Sequence, residues 1–123
     1  PLISQELIER TVYAARDYMA AAPAIMSTDT LKAVDETGFI SATVDRNTVL
    51  RVQTPQIFQA DMIKGALSKA VKDGLTITDD CSAIEMMGVK TKLVEGELEN
   101  IKLTTPLDVY LAEAILRDRG EKT

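Results

Sequence analysis

The 123-residue chain predicts an α/β fold with one β-hairpin set apart from the core. Apolar residues recur at helical spacing in several segments, short strand-type runs lie between them, and Glu36-Thr37-Gly38 supplies turn chemistry between two such runs.

Ser4 is placed to cap a first helix with apolar positions Leu7, Ile8, Val12, Ala15 and Met19, ending before Pro23. Ala24-Ile25-Met26 then reads as a strand. Thr30-Leu31-Lys32-Ala33-Val34 and Phe39-Ile40-Ser41-Ala42-Thr43-Val44 form the two arms of the hairpin. A further strand is expected over 49–53, closed by Pro55, because proline cannot donate to a ladder. A helix over 61–72 buries Met62, Ile63, Ala66, Leu67, Ala70 and Val71. Thr78 caps a short helix containing Ala83, Ile84 and Met87, and Gly88 stops it in a left-handed conformation. Strands are expected over 89–94 and at Ile101-Lys102-Leu103. Thr105-Pro106-Leu107-Asp108 then starts the closing helix with a cap, a first-turn proline and a carboxylate at the third position. That helix carries Val109, Leu111, Ala112, Ala114, Ile115 and Leu116, pairs Glu113 with Arg117, and frays from Arg119 onward.

Composition narrows the chemistry. A length of 123 residues fits one domain, and 46% apolar with 27% charged residues is the balance of a globular segment. The net charge of −5, without a stripe of cations, argues against nucleic acid as a partner, so any phosphate ligand is held by a few placed residues. No apolar run is long enough to span a membrane and no signal segment opens the chain, so it is expected to be cytoplasmic. A lone cysteine, Cys81, agrees with a reducing compartment and removes any multi-cysteine zinc site. With no histidine, Ser-His and Cys-His catalysis are excluded, leaving carboxylates, lysine, arginine and hydroxyls. The chain opens at Pro1 with a helical pattern almost at once, which suggests missing upstream sequence.

Arg46 and Lys102 are cations beside apolar strand-type residues. They are either snorkelling side chains or surface ion pairs, or else a phosphate clamp in which Thr30, Thr54 and Thr78 complete the shell. Asp79-Asp80 suits a first helical turn better than a metal pair, and Cys81 reads as a small core residue rather than a nucleophile. The scattered glycines make no phosphate-cradling loop, so a nucleotide has no evident seat.

In order, Pro1-Leu2-Ile3-Ser4, Thr28-Asp29-Thr30-Leu31-Lys32, Thr43-Val44-Asp45-Arg46, Gln53-Thr54-Pro55-Gln56, Thr78-Asp79-Asp80 with Ser82, and Glu99-Asn100-Ile101-Lys102 before Thr105-Pro106 resemble the C-terminal half of the 2-C-methyl-D-erythritol 4-phosphate cytidylyltransferases. Their relatives, the ribitol-5-phosphate cytidylyltransferases, share the likeness. The resemblance implies a partial Rossmann-like nucleotidyltransferase domain over 1–123, three-layered α/β/α, with the N-terminal CTP-binding half absent. It also implies a projecting arm over 25–49 that interlocks with its twin in a homodimer. The implied reaction joins CTP to methylerythritol phosphate with Mg2+ present, on the way to isoprenoid precursors. Thr54, Thr78 and Lys102 are the implied substrate contacts of the home subunit, Thr30 and Arg46 those of the neighbour; no catalytic residue or metal ligand is assigned in this chain. Leu50 departs from the family's usual aromatic residue and Cys81 from its usual alanine, apolar swaps that packing absorbs. The rival readings are ribitol phosphate as acceptor and a truncated module that only dimerises.

Overall fold

The computed structural model describes residues 2–74 and 80–121. Helix α1 spans Gln5–Tyr18, and the Ser4 hydroxyl caps it by accepting the Leu7 N–H at 3.1 Å. Its buried row is Leu7, Thr11 and Ala15, one residue per turn, while Ile8 and Val12 face outward. Thr11 fills an apolar position because its hydroxyl donates to the Leu7 carbonyl of the same helix at 2.8 Å. Met19, expected in the buried stripe, instead caps the helix with φ 73° and is half exposed.

The helix thus stops earlier than expected, and strand β1, Ala20–Met26, runs straight through Pro23. Strand β4, Leu50–Val52, and strand β5, Ile57–Phe58, both pair antiparallel with β1, and strand β6, Lys92–Glu95, pairs parallel. Ala24 pairs with both Val52 and Glu95, and Ala21 with both Ile57 and Lys92. A residue has one partner per side, so β4 and β5 lie end to end on one flank of β1 and β6 lies on the other. Pro23 falls opposite the gap between β4 and β5, where its missing N–H costs no ladder bond; its carbonyl still accepts from Gln53 N–H at 2.8 Å. The two-residue β5 is too short to show as a sequence pattern.

Every residue from Ala20 to Ala24 is buried, so both faces of β1 are covered and helical layers flank the sheet. Ala20 packs with Ala66 of helix α2, Ala60–Lys72, and Ile84 of helix α3, Asp80–Met86. Phe58, Met62, Ile63, Leu67 and Val89 close around them. Val71 lies off this stripe, 79% exposed. Gly88 adopts φ 80° after α3, as its position predicts. Thr78, the expected cap of α3, lies outside the described residues.

The hairpin pairs strand β2, Lys32–Val34, with strand β3, Ile40–Thr43. Its turn is held by the Asp35 carboxylate, which accepts from Phe39 N–H, the Thr37 hydroxyl and Thr37 N–H. These donors, the Phe39 N–H foremost, hold its pKa below the ordinary value. Residues 34–43 are all exposed. Ile25 and Met26 of the expected arm belong to β1, and Ser27 directly after it is buried.

No strand forms at 101–103; the segment passes the cavity as an irregular stretch with no ladder partner. Helix α4, Pro106–Glu121, begins where expected. It buries Ala112 but exposes Val109, Leu111 and Leu116, and Glu113 makes no ion pair with Arg117. Its end is anchored rather than frayed: Arg119 donates to the Leu2 carbonyl at 2.8 Å and pairs with Glu99 at 2.9 Å.

At the start of α4, the Asp108 carboxylate accepts from Thr104 N–H, the Thr104 hydroxyl and Thr105 N–H at 2.8–2.9 Å. These bonds lower its pKa from 3.8 to about 2. A carboxylate with a depressed folded pKa stabilises the fold above its unfolded pKa and loses that contribution as pH falls through the folded one. Asp108→Ala is therefore expected to melt lower than the parent at about pH 6, and the gap to close as pH drops from about 4 towards 2. Thermal melts across this range check it; a gap independent of pH excludes the carboxylate as the cause.

Candidate active site

Three polar segments meet over Ile25 at a cavity of about 670 Å³ beside β4. Arg51, Gln53 and Thr54 approach from one side, Asn100 and Lys102 from the irregular stretch after β6, and Thr104 with Asp108 from the start of α4. The lining mixes donors of a kind that bind anions, a guanidinium, an ammonium and hydroxyls, and Lys102 makes no hydrogen bond or ion pair among the described residues. An uncommitted ammonium on a cavity wall is available to a ligand.

Two of the expected site residues, Thr54 and Lys102, are brought together here, both with exposed side chains. Two others are not. Thr30 lies exposed in the loop before β2, and Arg46 lies exposed on the 3-10 turn Arg46–Thr48 that Asp45 caps through Asn47 N–H at 2.9 Å. Neither lines this cavity. Thr78 lies outside the described residues. Sequence reasoning missed Arg51 and Thr104. Arg51 alternates with apolar neighbours and reads as an outward strand residue, and only the fold of the following stretch across β4 brings it to a cavity wall.

Polar contacts between segments distant in sequence hold Gln53, Thr54 and Asn100 of the cavity lining in place. The Gln53 Nε2 donates to the Glu97 carbonyl at 2.8 Å, and its Oε1 accepts the Glu97 N–H at 3.3 Å. Asn100 Nδ2 donates to the Thr54 carbonyl at 2.7 Å and to Gln53 Oε1 at 3.4 Å. The Ser4 hydroxyl, while capping α1, donates to Glu97 Oε1 at 2.6 Å. Gly96 N–H bonds the Ala24 carbonyl at 2.9 Å, which seats the segment against β1. Among the described residues no group of three histidine, cysteine, aspartate or glutamate side chains is placed to hold a metal ion.

A family model described as 2-C-methyl-D-erythritol 4-phosphate cytidylyltransferase matches residues 1–118. The chain belongs to this family. It is 45% identical over 117 residues to the enzyme of that name from Caldanaerobacter subterraneus subsp. tengcongensis, covering 95% of this chain and 52% of the relative. It is 43% identical over 119 residues to that of Geobacillus thermodenitrificans, covering 97% and 52%. Among solved structures, 4-diphosphocytidyl-2C-methyl-D-erythritol synthase from Anaerococcus prevotii aligns with a TM-score of 0.89 at 35% identity, over 95% of this chain and 52% of that one. The Thermus thermophilus cytidylyltransferase aligns with a TM-score of 0.84 at 36% identity, over 95% and 57%. The chain spans about half the length of the curated relatives it matches. The α/β nucleotidyltransferase fold expected from the resemblance is the fold these family members share.

Gly96 is the tightest point of the contact between Gln53 and β1. A Cβ there would collide with the Gln53 side-chain oxygen and press on the Ala24 backbone at 3.1 and 3.2 Å. The backbone cannot yield without moving β1, so Gly96→Ala is expected to cost about 1–3 kcal/mol of stability. Chemical denaturation reads this directly, and a variant as stable as the parent contradicts the close approach.

Proposed function

We propose that the full-length protein, carrying an N-terminal half as its relatives do, transfers the cytidylyl group of CTP to 2-C-methyl-D-erythritol 4-phosphate. Thr54 and Lys102 facing one cavity, in a chain of this family, is the observation that carries the reading. A phosphate oxygen of the acceptor attacks the α-phosphorus of CTP, the bond from that phosphorus to the oxygen bridging to the β-phosphate breaks, and pyrophosphate leaves with the displaced electron pair. The product is CDP-methylerythritol, consumed on the way to isoprenoid precursors. Little covalent chemistry falls to the protein, which positions the groups and neutralises charge.

In this reading the chain supplies the acceptor side: the Lys102 ammonium and the Thr54 hydroxyl hold the phosphate, with Thr78 from the home subunit and Thr30 and Arg46 reaching in from a second copy. The exposure of Arg46 and Thr30, neither of which lines the cavity, is compatible with a role across a dimer interface. The CTP site belongs to the other half, so this chain alone is inactive. In this reading Mg2+ would enter as the partner of the CTP phosphates and help neutralise their charge. No helix among the described residues is long and apolar enough to cross a membrane, and a cytoplasmic site of action suits a pathway using CTP and a sugar phosphate. The relatives' names favour methylerythritol phosphate over ribitol phosphate as acceptor.

The arm makes one prediction. Deleting residues 29–45 from the full-length protein is expected to leave the main sheet folded and to convert the dimer to a monomer in sedimentation. An unchanged dimer refutes the arm's role.

The cations make another. Arg46→Ala and Lys102→Ala should each be nearly inactive, because loss of a charge-assisted phosphate contact weakens the transition state strongly. If each site draws Lys102 from one subunit and Arg46 from the other, co-refolding the two variants in equal amounts gives mixed dimers in which one site has both lesions and the other neither. Half the dimers are mixed, so about a quarter of parental activity returns. No recovery, with mixed dimers confirmed by mass, rejects the cross-subunit role.

A further inference from the structure

We propose that Gln53 and Asn100 are positioning residues that set the spacing between Thr54 and Lys102, so that both address one acceptor phosphate; this rests on the acceptor-site reading above. Neither contact residue is held by regular structure. Thr54 lies in the gap after β4 ends at Val52 and before β5 begins at Ile57, and Lys102 lies in the irregular stretch between β6 and α4. A sheet ladder or helix that fixed their separation is absent from both places.

The amides of Gln53 and Asn100 bridge the two stretches instead. Gln53 bonds the N–H and the C=O of Glu97, and so pairs with that backbone as a neighbouring strand does. Asn100, two residues before Lys102 and 8% exposed, spends one hydrogen on the Thr54 carbonyl and the other on Gln53 Oε1. Gln53 directly precedes Thr54 and Asn100 nearly adjoins Lys102, so each brace residue is tied by the chain to one contact residue and by hydrogen bonds to the other's segment. Gly96 lets the Gln53 side chain lie against the strand, since any Cβ would occupy its place. A brace of this kind acts through Thr54 and Lys102 and touches no substrate atom. Reacting groups tolerate little displacement, with about 1 Å costing on the order of a hundredfold in rate.

The test is steady-state kinetics of the full-length protein with CTP and methylerythritol phosphate. Asn100→Ala is expected to raise the KM for the acceptor about tenfold while the KM for CTP stays within about twofold. In a Lys102→Ala background, the same substitution should reduce kcat/KM by less than about threefold, because the brace then has one phosphate contact fewer to place. Equal rises in both KM values, or a loss that multiplies in full onto Lys102→Ala, overturns the positioning role while leaving the acceptor site standing. If Lys102→Ala itself leaves kcat/KM for the acceptor unchanged, the acceptor-site reading fails and the brace with it. Gln53→Met, which keeps the side-chain length but removes the amide, must repeat the pattern. If neither Asn100→Ala nor Gln53→Met folds, the amides are structural and the proposal is overturned.

Discussion

One glutamine amide joins the two halves of this molecule that carry the cavity. Gln53 bonds the N–H and C=O of Glu97, and through Glu97 the contact reaches the Ser4 cap of α1. Removing an amide at such a hub leaves partly buried backbone groups without partners, a larger penalty than the modest net worth of the bonds themselves. The nearby Arg119–Glu99 pair is a weaker tie. Its side chains are 36% and 48% exposed, and surface pairs of this kind contribute about 0–1 kcal/mol. Its firmer contribution is the bond from Arg119 to the Leu2 carbonyl, which binds the end of α4 to the entry of α1.

The clasp closes only because the strand beneath it is thin. Ala20, Ala21, Ala22 and Ala24 present methyl groups on both faces of β1, so the flanking layers approach the backbone closely, and Gly96 continues the same logic where the chain leaves β6. Packing is concentrated there rather than spread through the chain. Leu7, Thr11 and Ile84 are fully buried, whereas α4 leaves Leu107, Tyr110 and Leu116 exposed.

Charge is placed as sparingly as packing. A chain with a net charge of −5 has no diffuse attraction for phosphate, so an anion site must rest on individual cations. Lys102 and Arg51 stand on the cavity wall, and Arg46, on an exposed turn, does not line it.

Features governed by neighbours along the chain were legible in the order of residues. Ser4, Gly88, the Glu36-Thr37-Gly38 turn and the Thr105-Pro106-Asp108 start act through local backbone conformation and short-range hydrogen bonds, and each performs the role its position implies. The ordered motifs that resemble the family were legible for the same reason, being strings of residues. Features that depend on a distant partner were not. Pro23 is tolerated in β1 because the opposing strand is interrupted, Ile101-Lys102-Leu103 forms no strand because nothing pairs with it, and β5 exists only as two residues laid against Ala20 and Ala21. Thr54 and Lys102 reach one cavity through the amides of Gln53 and Asn100, contacts that span 44 to 47 positions of sequence. No periodicity or local propensity encodes a bond across such a separation; it is set by where the sheet places the two backbones.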